Sequence, residues 1–84
     1  MANHPSAKKR HRQSLKRQAR NKHVRSTVRS AVRAVQAGSA EPEAAEKLAR
    51  AEQLLRKAQT KGVFHRKTVS RTISRLTRLV QRSS

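Results

Sequence analysis

The chain has 84 residues, of which 22 are Lys or Arg and four are acidic, for a formal net charge of +18. That length holds one small domain, and the absence of cysteine excludes disulfides, thiolate metal sites and a thiol nucleophile. No apolar run approaches the ~18 residues of a membrane span, and the basic N-terminus lacks the apolar segment of a secretory signal, so a cytoplasmic location is expected.

Only fifteen residues are Val, Leu, Ile or Phe, fewer than one in five. Such a composition with high net charge sits near the boundary of disorder, and self-repulsion opposes compaction. The free chain is expected to be marginally stable and to need a polyanion that neutralises it.

Residues 1–38 hold eleven basic residues and no acid. His4-Pro5 precedes Ser6, which suits a helix N-cap. A first helix is predicted over about 6–37, with an apolar stripe at Val24, Val28, Ala31, Val32 and Val35. Between Ala7 and Lys22 only Leu15 and Ala19 are apolar, too few to hold that stretch on a core. Residues 1–22 should therefore form a basic extension of a single helical domain whose bundle is 23–84. The run Lys8-Lys9-Arg10-His11-Arg12, continued by Lys16, Arg17, Arg20 and Lys22, places like charges four apart, which repel in a free helix. It is expected to order on binding, with Ser6, Gln13, Ser14, Gln18 and Asn21 as short polar groups for phosphates or ribose hydroxyls.

Gly38 suits the left-handed position past a helix end, and so does Gly62. Residues 39–58 carry Glu41, Glu43, Glu46 and Glu52 against Lys47, Arg50, Arg56 and Lys57, a net charge of zero. Pro42 marks the first turn of a second helix, about 42–60, with Glu43 and Glu46 placed favourably against its dipole. Its stripe is Ala44, Leu48, Ala51, Leu55 and Ala58. Glu43–Lys47, Glu46–Arg50 and Glu52–Arg56 are spaced as i,i+4 pairs, so this segment should neutralise itself and turn away from an anion. Phe64, the one aromatic residue, reads as a core plug at the next turn.

A third helix, about 65–82, carries Val69, Ile73, Leu76 and Val80, with Leu79 at the stripe's edge. Arg71, Arg75, Arg78 and Arg82 repeat the same steps two residues out of phase, which turns them ~200° away from the core. No acid follows Glu52, so this face has no counter-charge in its own helix and reads as a phosphate-binding surface. Arginine outnumbers lysine, and its planar fork suits phosphate oxygens and bases. Short links and the absence of strand alternation predict an all-α, antiparallel three-helix bundle with a long, basic, projecting first helix.

Other chemistries find no support. His4, His11, His23 and His65 have no helical ligand partner and there is no aspartate, so neither a metal site nor general acid–base catalysis is expected. With no phosphate loop or nucleophile elbow, the chain reads as neither an enzyme nor a protein with a cofactor or small-molecule substrate. A single aromatic argues against stacking platforms for single strands. A membrane-active peptide would need an apolar face that the first half of the first helix lacks. The alternative reading is a nucleoid-type DNA-binding architectural protein, which shares the charge logic but typically reads a groove as a symmetric dimer, and the chain offers no dimerisation face beyond its own core.

The residues also resemble a known family, the twentieth of the bacterial small-subunit ribosomal protein series. The likeness rests on Ser6-Ala7-Lys8-Lys9-Arg10, on Arg17, Arg20-Asn21-Lys22 and Arg25-Ser26, and on Lys61-Gly62-Val63, His65, Arg71 and Ser74-Arg75-Leu76. It implies a three-helix bundle that binds small-subunit (16S) ribosomal RNA directly and early in assembly, its first helix lying along RNA helices. Carried residue by residue, it implies RNA contacts at Lys8, Lys9, Arg10, Arg12, Arg17, Arg20, Asn21 and Arg25, and at His65, Lys67, Arg71, Ser74, Arg75 and Arg78. Lys16, Lys22 and Arg29 complete the candidate set. The expected role is a structural constituent of the ribosome, not a homo-oligomer, that meets other small-subunit proteins only within the particle.

Overall fold

The computed structural model describes residues 5–83, with side chains from Ala7 onward. Three helices follow one another: α1 (Pro5–Ala37), α2 (Ala44–Thr60) and α3 (Arg66–Ser83). α1 is already helical at Pro5, the first described residue. Ser6 is thus inside the first turn and is not its cap. His4 lies outside the described residues.

At ~1.5 Å per residue, the 33 residues of α1 span about 50 Å, whereas the 17 of α2 and 18 of α3 span about 26 Å each. The surplus shows in the dimensions, 64 × 20 × 14 Å, and in a radius of gyration of 17.4 Å. A compact chain of this length would have a radius of about 12 Å.

The bundle is held by the stripes read from the sequence. Val28 and Val35 of α1, Ala51, Leu55 and Ala58 of α2, and Val69 and Leu76 of α3 are buried together. Val24, Ala31, Val32, Leu48, Ile73 and Val80 flank them, and Phe64 packs against the same cluster from the turn. The largest buried side chains are two leucines, Leu55 and Leu76, and three valines, Val28, Val35 and Val69, packed closely over Ala51 and Ala58 of α2. Leu15 stays 51% exposed, on the part of α1 that has no partner.

The two connections are built differently. At the end of α2, Val63 N–H donates to the Ala58 carbonyl (3.0 Å) and Gly62 N–H to that of Gln59 (3.0 Å). With Gly62 at φ +77°, this is a Schellman motif, and its apolar residue Val63 turns into the core. The expected left-handed Gly38 does not occur, since Gly62 is the one residue with positive φ among those described. Gly38 instead prolongs the α1 hydrogen-bond ladder, its N–H donating to the Ala34 carbonyl at 3.1 Å. There a Cβ would meet Lys47 Nζ at 2.6 Å and Glu41 Oε2 at 3.0 Å. Pro42 lies in the turn before α2, two residues earlier than the helix begins, because Ala44 N–H still closes a tight turn on the Glu41 carbonyl (3.0 Å).

Ser83 Oγ donates to Ser39 Oγ at 3.2 Å, tying the end of α3 to the α1–α2 loop. The helices therefore run up, down and up, with α2 packed on both neighbours.

Candidate nucleic-acid interface

α1 positions the first group of cations. Lys8, Lys9, Arg10, Arg12, Lys16, Arg17, Arg20 and Lys22 are all exposed, and no protein element covers the helix here. Shallow hollows between Lys9, Arg12, Gln13 and Lys16, and between Lys16, Arg17 and Arg20, run along its surface. Asn21, where the bundle begins, is half-buried, and its Oδ1 is enclosed without a hydrogen-bond partner. Arg25 and Arg29 are exposed and share a helical stripe with Gln36.

α3 positions the second group. Its N-terminus is capped by His65, whose Nδ1 accepts the Lys67 N–H at 3.1 Å. An accepting Nδ1 leaves the proton on Nε2, which remains able to donate outward. Lys67, Arg71, Arg75 and Arg78 are exposed along one face, and Ser74 accepts a 2.8 Å hydrogen bond from Arg78 Nη2. Ser74 thus orients an arginine through its hydroxyl. Arg75, Arg78 and Arg82 border an open groove of about 570 Å³ whose floor is Leu76 and Leu79 and whose far wall is Gln36. Gln36 escaped sequence reasoning because an exposed glutamine at a helix end carries no signal until the neighbouring helix is in place.

The electrostatics are one-sided. Among the described residues the single ion pair is Lys47 Nζ to Glu41 Oε2, 3.0 Å, with side chains 36% and 54% exposed. A pair so exposed contributes at most ~1 kcal/mol. None of the expected Glu43–Lys47, Glu46–Arg50 or Glu52–Arg56 pairs forms: Lys47 is drawn back to Glu41, and Arg56 Nη1 reaches Gln59 Oε1 at 3.5 Å. Exposed side chains in water gain too little from an i,i+4 pair to be held in it. The described residues contain no group of three or more His, Asp or Glu able to hold a metal ion, and no helix long and apolar enough to cross a membrane. What the surface offers is an exposed, unneutralised array of guanidinium and ammonium donors on rigid helices, suited to phosphate oxygens.

A family model described as Ribosomal protein S20 matches residues 2–81. Small ribosomal subunit protein bS20 of Syntrophotalea carbinolica is 53% identical over 83 residues, covering 95% of each chain. Proteins of the same name from Nitratidesulfovibrio vulgaris and Geotalea uraniireducens are 48% and 49% identical over 83 residues, again covering 95% of each chain. With helices, basic surface and similarity agreeing along nearly its whole length, the chain belongs to the ribosomal protein S20 family.

Proposed function

We propose that this chain binds small-subunit (16S) ribosomal RNA directly, as a monomer, and bridges RNA helices while neutralising their phosphates during subunit assembly. Membership of the family makes it a structural constituent of the small subunit and not an enzyme. The ribosome places it in the cytoplasm. The observation that carries direct RNA binding is the α3 face: Lys67, Arg71, Arg75 and Arg78 are exposed side by side, with no acid paired to any of them among the described residues.

The candidate residues divide the work. Lys8, Lys9, Arg10, Arg12, Lys16, Arg17, Arg20 and Lys22 surround α1 and meet RNA phosphates on more than one side, and Arg25 and Arg29 extend the contact along the bundle. His65 Nε2–H and the Ser74-oriented Arg78 donate to phosphates or riboses. Asn21, half-buried where the arm meets the bundle, contributes through its amide N–H groups, which suit phosphate or ribose oxygens. Residues 1–22 act as an extension of the 23–84 bundle that becomes fully helical on RNA, because like charges at i,i+4 oppose the helix until phosphates lie between them.

Titration of a small-subunit rRNA transcript at rising salt tests the reading. With ~6–10 phosphate contacts, affinity should fall by ~10³–10⁵ between 50 and 200 mM salt. An affinity indifferent to salt, or a preference for duplex DNA over the structured transcript, would refute it.

A further inference from the structure

The linear count of charge makes the middle segment neutral, and Glu43 and Glu46 share a side of α2 with its cations, but the groove between α1 and α2 is lined by Lys47, Arg50, Lys57 and Lys61 and by no acid. Lys47, Arg50, Lys57 and Lys61 step 3-7-4 with Leu54 between them, a spacing that puts all five on one side. That side forms a wall of the groove between α1 and α2, where two adjoining hollows of about 460 and 120 Å³ share His23, Thr27 and Leu54. Neither hollow is lined by an acid. Glu41 holds Lys47 at one end of the row, whereas Arg50, Lys57 and Lys61 are exposed and form no ion pair among the described residues.

The opposite wall is furnished with hydroxyls. Thr27 spends its proton on the His23 carbonyl at 3.0 Å, but Ser26 and Ser30 line the groove with no intramolecular partner among the described residues. His23 stands where the two hollows join. From Lys47 to Lys57, ten residues of helix extend about 15 Å, long enough to meet several successive phosphates of one strand.

We propose that the α1/α2 groove is a second RNA seat, in which a sugar–phosphate backbone lies between the Arg50–Lys57–Lys61 row and the Ser26 and Ser30 hydroxyls. The proposal rests on the reading that this chain binds RNA, and it reverses the expectation that the middle segment faces away from the anion. RNA is then held on two flanks of the bundle, the α3 face and this groove, and the bundle is gripped between strands.

Full-length variants are titrated against the small-subunit rRNA transcript between 50 and 200 mM salt, with helicity checked by circular dichroism. Each phosphate contact contributes about 0.9 to the salt slope. Arg50→Gln with Lys57→Gln should therefore flatten the slope by about 1.8 and shrink the salt-induced loss about twelvefold. Arg56→Gln, outside the groove, should leave the slope unchanged. Independently, Ser30→Cys gives this cysteine-free chain a single thiol. A photo-crosslinker there should capture RNA, and one at Glu52→Cys, two residues from Arg50 and so turned to the other side of α2, should not. If Arg50→Gln with Lys57→Gln behaves like Arg56→Gln and position 30 captures nothing, while Arg71→Gln with Arg75→Gln weakens binding, the groove is not a seat. If the α3 variant is also without effect, RNA binding itself is refuted.

Discussion

The two glycines should respond oppositely to the same substitution. At Gly62 the backbone has φ +77° and a new Cβ would meet nothing within 4 Å, so Gly62→Ala adds no clash and no contact. Its cost is the left-handed conformation itself, ~1–2 kcal/mol for an L residue, partly offset by ~0.4–1 kcal/mol from a stiffer unfolded chain. The net loss is about 0–1.6 kcal/mol, centred near 0.8, or up to roughly 13 °C in Tm for a domain of this size. At Gly38 the backbone is not left-handed, and the methyl would displace Lys47 Nζ and Glu41 Oε2, both ends of flexible side chains, while easing a 3.3 Å approach to the Ala34 carbonyl. Gly38→Ala thus loses an exposed ion pair of ~0.2–1 kcal/mol and gains ~0.4–1 kcal/mol of chain stiffness. Its Tm should stay within about 6 °C of the parent. Thermal melts followed by far-UV circular dichroism in one fixed buffer compare the two. Gly38→Ala proving the more damaging would refute the assignment of Gly62 to conformation and Gly38 to close approach.

Three further outcomes are expected. Arg71→Glu with Arg75→Glu should weaken binding to small-subunit rRNA by about 2–3 kcal/mol, some 30- to 150-fold, and equilibrium titration showing an unchanged Kd would remove α3 from the interface. Val35→Ala, which empties a fully buried site, should destabilise by roughly 2 kcal/mol, whereas Leu15→Ala on the exposed arm should change stability by less than about 0.5 kcal/mol; denaturant melts that rank them the other way would contradict the core. Deleting residues 1–22 should leave the bundle's melting transition in place while sharply lowering rRNA affinity, and loss of the transition would show that the arm supports the fold.

The helices are legible in the sequence because the few apolar residues recur at helical spacing: Val28, Val35, Ala51, Leu55, Val69 and Leu76 were all readable from it, and all are buried, while Leu15 stands exposed on the arm. Gly62 was readable too, since a helix end followed by Gly and an apolar residue has one common solution. Gly38 misleads because a glycine that admits a close neighbour looks the same in sequence as one that supplies positive φ. The ion pairs expected on α2 fail for a related reason: spacing gives proximity, but not the choice between Glu43 and Glu41 as the partner of Lys47. The cationic faces of α1 and α3 are legible because no acid accompanies them. The place of Arg50, Lys57 and Lys61 along the α1/α2 groove was not, because Glu43 and Glu46 share their side of α2 and only the packing of α1 decides which side chains line the hollows.

From Pro5 to Ala37, α1 is a single helix, and no glycine or proline interrupts it between its first residue and Gly38. Once helical, such a rod has no joint at which its free half could swing relative to the half fixed in the core. Seating the globular end therefore also sets the bearing of the tip, tens of ångströms away. The protein can act as a gauge, fixing the offset between two distant points and obliging the flexible polymer around it to conform.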